Sequence, residues 1–414
     1  MAFGKLAHLY SKGLHRPGVA PIAVDFGSSS LKVLQITNTE PPGLVCAGEI
    51  ATPENLVGHA SKRLEHQIGA LPDLVRKLSC KGKRAVCAIP SALTFCKHMQ
   101  ISGQEGLSPE ILADTMLSEQ TGRDAATLVR RLLEVESPGA TGSGHKNEYI
   151  CLASGNEVVE KLIKGLRRAK LEVVGMHSEF EALLQAFAYV NKRESDKEVS
   201  TLYLDIGCCQ SRVTIAHGRR LVFARIMNFG GMTLDEYLSK ELVCPVEEAR
   251  AYRLGLDDLV RIQGKTAAPV QSSSGAKPLA EGAVMVAEDR RTGHQVPGMS
   301  SELDSMPAGP ICPNGVSLAE PLEILTDEIS MCIRYHDGMY KKQPVGSIVF
   351  LGGEARHRGL CQHIARTLRL SARVSDPLAR IIRDGSECIL HVDTGVPQPG
   401  WAVAVGLCQS PTDL

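Results

Sequence analysis

The chain has 414 residues, 43% of them hydrophobic, and its 46 Lys and Arg residues equal its Asp and Glu residues in number. This length and apolar content suffice for two domains with sizeable cores and exclude a disordered chain. Because the net charge is zero, nothing draws the whole chain toward nucleic acid, and we expect no nucleic-acid partner. Thirteen cysteines without a Cys-x-x-Cys pair indicate buried thiols in a reducing compartment and argue against zinc.

Residues 1–20 are predicted to form an N-terminal tail. Phe3, Leu6 and Leu9 recur at roughly helical spacing among basic residues, which fits either a weak interfacial helix or a surface-docked terminus. No apolar run approaches the roughly 18 residues that a membrane span needs, so we expect the chain not to cross a bilayer by itself.

The first half, residues 21–190, opens with IAVDFGSSSLKVLQI at residues 22–36, which predicts two strands joined by a small polar turn. Alternating strand and helix patterns follow, as in an α/β protein. Residues 84–155 read as strand, helix, strand, strand and helix, and we interpret them as a small mixed subdomain inserted in this half. A charged connector at residues 191–199 separates the halves.

The second half, residues 200–414, opens with LYLDIGCCQSRVTIA at residues 202–216, which repeats the design of the first hairpin. Two further segments read as strand, Gly-Gly and helix, at Gly230-Gly231 and at Gly352-Gly353. Residues 264–316 are rich in Ser, Ala, Pro and Gly without sustained periodicity, and they are predicted to be a low-complexity insertion.

The turn of the first hairpin has the composition of a phosphate-binding loop. Backbone N–H groups converge on a phosphate only where side chains are small, as in Gly27, Ser28, Ser29 and Ser30. Asp25 would repel the phosphates directly, so its position is explained if it holds Mg²⁺ between itself and them. Lys32 adds a positive charge from the next strand.

Asp205 and Gly207 mirror Asp25 and Gly27, so two facing hairpins would hold a nucleotide from both sides, with both aspartates as metal ligands. Either Asp-x-Gly motif alone is explained as well by an ordinary hairpin turn. The two Gly-Gly segments favour the nucleotide site, because Gly352 and Gly353 would let backbone approach a nucleoside closely. The sequence has neither a Walker A motif nor GxGxxG.

These motifs, with RIMNFGG, EEARAYR and LGGEA, resemble the actin-like ATPase superfamily, and the chain is most similar to the PilM family of type IV pilus assembly proteins. The resemblance implies an α/β fold with two lobes of duplicated ribonuclease-H-like subdomains and an inserted small subdomain. It implies ATP and Mg²⁺ as ligands, matches Gly352 and Gly353 to the adenosine loop, and places Arg253 near the adenosine, where relatives commonly carry Lys. Gly230 and Gly231 are further candidate nucleotide-binding residues. Glu179 matches an acidic residue that orients the attacking water.

The implied function is that of an ATP-binding cytoplasmic adaptor, peripheral on the inner membrane, in a type IV pilus or related secretion machine. Its implied partner is the N-terminal cytoplasmic peptide of a PilN-like protein, with the pilus motor ATPases as further candidates and twitching motility or protein secretion as the process. The peptide is expected in a groove beside residues 84–155, where Phe95, Met99, Ile101 and Ile111 are candidate contacts.

The second phosphate loop departs from the family, with Cys208, Cys209, Gln210 and Ser211 where relatives usually have small or hydroxyl residues and a threonine. We therefore expect at most a slow ATPase, and Glu179 is explained equally well as a surface carboxylate at a helix start. Two alternatives stay open, an FtsA-like membrane-associated filament former and a small-molecule kinase of the same superfamily.

Overall fold

A computed structural model describes residues 18–102, 107–135, 146–265, 284–285 and 317–412. Most of the predicted N-terminal tail and most of the 264–316 insertion lie outside these ranges. Within them the chain forms three β-sheets with helices packed between and around them. None of the helices in these ranges combines the length and the apolar composition required of a membrane span.

The secondary structure alternates between strands and helices in chain order. The strands are β1 Ile22–Phe26, β2 Ser30–Ile36, β3 Leu44–Ala51, β4 Arg84–Ile89, β5 Thr94–Ser102, β6 Leu128–Val135, β7 Lys146–Gly155, β8 Glu172–Ser178, β9 Ser200–Ile206, β10 Ser211–His217, β11 Arg220–Met227, β12 Val284–Met285, β13 Val345–Leu351, β14 Ser371–Val374 and β15 Cys388–Leu390. The α-helices are α1 Glu54–Val57, α2 Ala60–Leu78, α3 Pro109–Thr121, α4 Asn156–Arg168, α5 Glu179–Ala186, α6 Gly231–Leu242, α7 Val246–Lys265, α8 Ala319–Met339, α9 Arg358–Leu368 and α10 Ala402–Cys408.

The first two sheets repeat one topology. The first has the order β15-β3-β2-β1-β4-β8, and the second has the order β11-β10-β9-β13-β14-β12. In each, an antiparallel three-stranded meander continues into two parallel strands, which are β4 and β8 in the first sheet and β13 and β14 in the second. We call the bodies around these two sheets the first and second lobes.

Both faces of the first sheet are covered, which explains why every residue of β1 and β2 is buried. On one face, α2 presents Leu64, Leu71, Leu74 and Leu78 at helical spacing to a core that includes Val24. On the other face, α5 and α10 belong to a larger core shared with the second sheet. A Cβ atom at Gly406 of α10 would lie 1.6 Å from the carbonyl oxygen of Ala182 in α5, so these two helices are in direct backbone contact.

The third sheet, in the order β5-β7-β6, forms the predicted small subdomain together with α3. Met99 and Ile101 are buried beneath α3 in its core. The exact domain boundaries stay a prediction. At two of them, the strand pairing assigns residues to a different part of the chain than the sequence did. Strand β4, which the 84–155 boundary assigned to the insert, pairs with β1 and β8 in the first sheet.

The chain also returns to the first lobe near its C-terminal end. Strand β15 pairs in parallel with β3, and the following helix α10 packs against β1, β2 and α5. Residues 388–408 therefore complete the first lobe, whereas the sequence assigned all of 200–414 to the second. A strand of three residues carries no periodicity from which its partner could be predicted.

Candidate functional site

The first hairpin places an aspartate opposite a lysine. Asp25, near the end of β1, and Lys32, in β2, are cross-strand partners. The turn requires a small residue because a Cβ atom at Gly27 would lie 3.0 Å from the carbonyl oxygen of Ser30. Lys32 does not face Asp25 directly, since its Nζ donates to Ser30 Oγ over 2.9 Å and lies 3.9 Å from Glu49.

The second hairpin repeats this geometry with an arginine in place of the lysine. Asp205 in β9 and Arg212 in β10 are cross-strand partners. A Cβ atom at Gly207 would lie 2.7 Å from the carbonyl oxygen of Gln210, which makes this turn as tight as the first.

The loop after β13 closes on the second hairpin. Gly352 has a φ of +86°, and a Cβ atom there would come within 2.2 Å of the carbonyl oxygen of Ile206. A side chain is therefore excluded at this position by both conformation and space. Gly353, in contrast, has open space where a Cβ atom would stand.

The two hairpins and this loop surround one cleft between the lobes. Its lining contains the sequence-predicted residues Asp25, Gly27, Ser28, Ser29, Lys32, Glu179, Asp205, Gly207, Gly352 and Gly353. Its open volume is about 110 Å³, below the roughly 300 Å³ at which sites for drug-sized ligands begin. In this conformation the cleft is therefore smaller than a site for a ligand of that size.

Glu179 lies inside the cleft because α5 begins there. Ser178 caps the helix by accepting a hydrogen bond from the backbone N–H of Glu181 over 3.2 Å, which places Glu179 in the first turn. Its side chain is buried and forms an ion pair with Arg212. The location excludes a solvated surface carboxylate, while the proposed role in orienting water stays a prediction.

Arg212 joins several groups of the cleft. It donates to Asp205 Oδ2 over 2.6 Å, to Glu179, and to Ser91 Oγ over 3.1 Å. Burial raises the pKa of Asp25 to about 7; Glu179 and Asp205 add to this increase, while Lys32 and Arg212 oppose it. The cleft thus holds four carboxylates, those of Asp25, Glu49, Glu179 and Asp205, of which Asp25 alone has no direct ion pair among the described residues.

This pKa predicts that Asp25 makes nucleotide-free stability depend on pH. The unfolded chain releases this proton near pH 4, whereas the folded protein keeps it until about pH 7. Between these values the folded state binds more protons, so the contribution of Asp25 to stability falls as pH rises. We expect Asp25→Asn to be more stable than wild type at pH 8, by up to a few kcal/mol since one pKa unit is worth about 1.4 kcal/mol. Urea unfolding from pH 5 to pH 8 measures this, and equal curves for both proteins at every pH would contradict it.

ATP and Mg²⁺, which the resemblance implies, fit part of this site. The tight glycine turns form two cradles of backbone, and the buried, unpaired carboxylate of Asp25 suits a cation. Asp205 is less suited, because Arg212 already holds its carboxylate. No group of three His, Cys, Asp or Glu side chains within the described ranges is arranged to hold a metal.

Four of the predicted nucleotide-binding residues do not line the cleft, namely Ser30, Gly230, Gly231 and Arg253. Ser30 is buried beneath the first turn and accepts the hydrogen bond of Lys32. Arg253 is held by Asp235 at 2.6 Å and by Glu354 at 2.7 Å. Gly231 lies against this cluster, where its Cβ atom would be 2.1 Å from Glu354 Oε1. Arg253 and Gly231 thus contact Glu354 and support the loop that follows Gly352.

Arg212 is one of the cleft residues that sequence reasoning missed, as are Glu49, Ser91, Arg356, Gly400, Trp401 and Val403. Arg212 was the one that could have been found. Its signal was present, since Asp25 precedes Lys32 by the same interval at which Asp205 precedes Arg212. Matching the repeats through this position, and not only through Asp and Gly, would have indicated a cation opposite each aspartate.

Comparison with known proteins places this geometry in a family. Residues 23–256, more than half of the chain, match the family model of the type IV pilus assembly protein PilM. The structure is similar to that of a PilM–PilN type IV pilus biogenesis complex, with 16% identity, a TM-score of 0.63, and 95% of this chain and 97% of that chain covered.

Two other solved structures are more distant. The ethanolamine utilization protein EutJ from Carboxydothermus hydrogenoformans has 13% identity, a TM-score of 0.46 and coverage of 96% and 91%. MreB5 of Spiroplasma citri bound to ADP has 10% identity, a TM-score of 0.42 and 94% of both chains covered.

The PilM–PilN likeness confirms the expected fold, an actin-like ATPase fold of two duplicated lobes with an inserted α/β subdomain. The chain belongs to the PilM family of type IV pilus assembly proteins.

Proposed function

We propose that the protein is a nucleotide-dependent adaptor of a type IV pilus or related secretion machine, which docks on the cytoplasmic tail of a PilN-like inner-membrane protein. The observation that carries this proposal is that the third sheet is bonded to both lobes, so a change in the cleft between them reaches the docking subdomain. The protein would then be cytoplasmic and peripheral on the inner membrane through this partner.

The contacts from the third sheet to the second lobe are specific. Glu148 of β7 accepts hydrogen bonds from His98 Nδ1 over 2.9 Å and from Tyr335 of α8. His98 Nε2 in turn accepts a hydrogen bond from the backbone N–H of Ala224 in β11 over 3.3 Å. Contacts to the first lobe include the ion pair of Arg131 in β6 with Glu181 in α5, at 3.0 Å.

The nucleotide in this proposal is ATP with Mg²⁺, held through Asp25 and the backbone of both hairpins. Magnesium would neutralise phosphate charge beside Asp25. Hydrolysis would be slow, because the second turn carries Cys208, Cys209 and Gln210 where relatives usually have small or hydroxyl residues, so the phosphate would be positioned imperfectly.

The outer edge of β6 is the best-suited place for the partner tail. The third sheet has two edge strands, β5 and β6; β5 lies against β11, whereas within the described ranges no strand pairs with the outer edge of β6. An extended peptide can add to such an edge by backbone hydrogen bonds and place alternate side chains in apolar pockets. Val129 at this edge is 43% exposed. Of the candidate contacts, Ile111 is exposed, Phe95 is partly buried, and Met99 and Ile101 are core residues.

A binding assay with the tail peptides of inner-membrane pilus proteins tests the proposal. We expect one tail to bind and Val129→Glu to weaken it about tenfold or more, since each 1.4 kcal/mol lost is a factor of ten. Binding should depend little on salt, because apolar burial and backbone pairing supply the affinity. Val243→Glu, at an exposed valine that ends α6 on the other lobe, is the matched control. If Val129→Glu and Val243→Glu bind the tail peptide with equal affinity, the peptide binds at another place. If no tail peptide binds the protein, the adaptor function is contradicted.

A further inference from the structure

The Arg212 guanidinium is buried among carboxylates from both lobes. Its side chain is 15% exposed, and those of its partners Asp205 and Glu179 are 5% and 4% exposed. Asp205 belongs to the second lobe together with Arg212, whereas Glu179 and Ser91 belong to the first lobe. The one side chain therefore pairs with two carboxylates and joins the lobes.

The two hairpins differ in how their aspartates are neutralised. Lys32 donates to Ser30 and lies near Glu49, so Asp25 is left without a direct cation. Arg212 holds Asp205 directly. The similar sequences thus give one aspartate that is free to accept a cation and one that is already satisfied.

A divalent metal ion and the guanidinium would compete for the same oxygen atoms. Mg²⁺ requires nearly octahedral coordination by oxygen, and Asp205 Oδ2 is engaged by Arg212 at 2.6 Å. In this conformation the cleft of about 110 Å³ is smaller than a site for a ligand of nucleotide size, and separation of the lobes would break the Arg212–Glu179 ion pair. Further contacts cross the cleft, from Arg250 to Glu54 and from Cys209 Sγ to the Val57 carbonyl oxygen at 3.3 Å.

We propose that the guanidinium of Arg212 takes the place of a divalent cation between Asp205 and Glu179, holding the nucleotide-free cleft closed, and that a metal nucleotide enters by displacing it. Only the last part rests on the proposed nucleotide binding. Arg212 is thus a positioning residue that sets the concentration of metal nucleotide needed to open the cleft.

Thermal melting without nucleotide tests the first part. Wild type should melt at nearly the same temperature in EDTA and in millimolar Mg²⁺, because Asp205 and Glu179 are already paired with Arg212 and Asp25 alone offers the ion too few ligands. Arg212→Ala should melt several degrees lower in EDTA and regain much of this loss in Mg²⁺, which then binds the exposed carboxylates. Arg212→Lys keeps the positive charge, so its melting temperature in EDTA should fall less than that of Arg212→Ala. Mg²⁺ should not change it.

Three results would overturn the proposal. The first is that Mg²⁺ raises the melting temperature of wild type as much as that of Arg212→Ala. The second is that Arg212→Ala melts at the wild-type temperature in EDTA. The third is that Arg212→Ala melts lower in EDTA but Mg²⁺ does not raise its melting temperature. If Arg212→Ala is insoluble, the double variant Arg212→Ala with Glu179→Gln carries one carboxylate less and should fold. Insolubility of the double variant too would show that charge neutralisation is not the role of Arg212.

A nucleotide titration separates this inference from the proposed function. Arg212→Ala should bind Mg-ATP about tenfold more tightly than wild type, because no ion pair has to break. If the melting temperatures change as expected but neither wild type nor Arg212→Ala binds ATP, the proposed function alone is contradicted. ATP binding by wild type with unchanged affinity in Arg212→Ala would contradict displacement alone.

Discussion

Asp25→Ala is expected to abolish the stabilisation of the protein by Mg-ATP. A ligand present at 100 times its Kd stabilises the folded state by about 2.7 kcal/mol, which raises the melting temperature of wild type by several degrees. The buried carboxylate of Asp25 is the one in the cleft without a direct ion pair among the described residues, so it is the group that a metal nucleotide would use. Melting with and without Mg-ATP measures the effect.

The matched control for this variant is Asp73→Ala. Asp73 is an exposed aspartate of α2 in the same lobe, paired with Arg76 at 2.9 Å on the surface. This control should keep the full response to Mg-ATP. An unchanged response in Asp25→Ala would remove Asp25 from the site, and lower stability of Asp25→Ala without nucleotide would indicate a structural role instead.

The largest loss of stability is expected from Asp235→Ala. Asp235 of α6 is fully buried and accepts hydrogen bonds from Arg250 at 2.7 Å and from Arg253 at 2.6 Å. Removal of one partner of a buried ion pair costs about 3–5 kcal/mol, because the other charge is left buried without compensation. Arg250 and Arg253 keep Glu54 and Glu354 as partners but lose the buried carboxylate that they share, so we expect a loss within this range.

Urea unfolding measures this loss, and two other variants calibrate it. Asp235→Asn keeps an acceptor oxygen and should lose less, while Asp327→Ala removes an exposed aspartate of α8 in the same lobe and should lose little. A loss below about 1 kcal/mol for Asp235→Ala, the usual scale of an exposed pair, would show that water reaches this cluster.

The sequence predicted the hairpins of the cleft because their signals are local. A strand pattern, an aspartate and a glycine turn lie within a few residues of each other, as in the stretch from Asp25 to Lys32. The structure brings both turns and Gly352 to one cleft, as expected from the repeat.

The remaining features depend on contacts between distant residues. Arg253 was placed near adenosine, but its role in supporting the loop depends on Glu354, 101 positions away. Met99 and Ile101 were candidate partner contacts, and apolar composition cannot distinguish an interface from the core beneath α3 that they occupy. Arg212 holds the carboxylate of Asp205 because the two residues are cross-strand partners. This partnership follows from the register of β9 and β10, which is known only once the two strands are paired.

The return of the chain to the first lobe has a consequence for folding during synthesis. The ribosome makes β1 and α5 early, but β15 and α10, which cover that lobe, only after the whole second lobe. Helix α10 is buried along its full length, and its backbone at Gly406 touches α5 at Ala182. We infer that the first lobe stays incomplete while the second folds, and that the two reach their final stability together once residues 388–408 have left the exit tunnel.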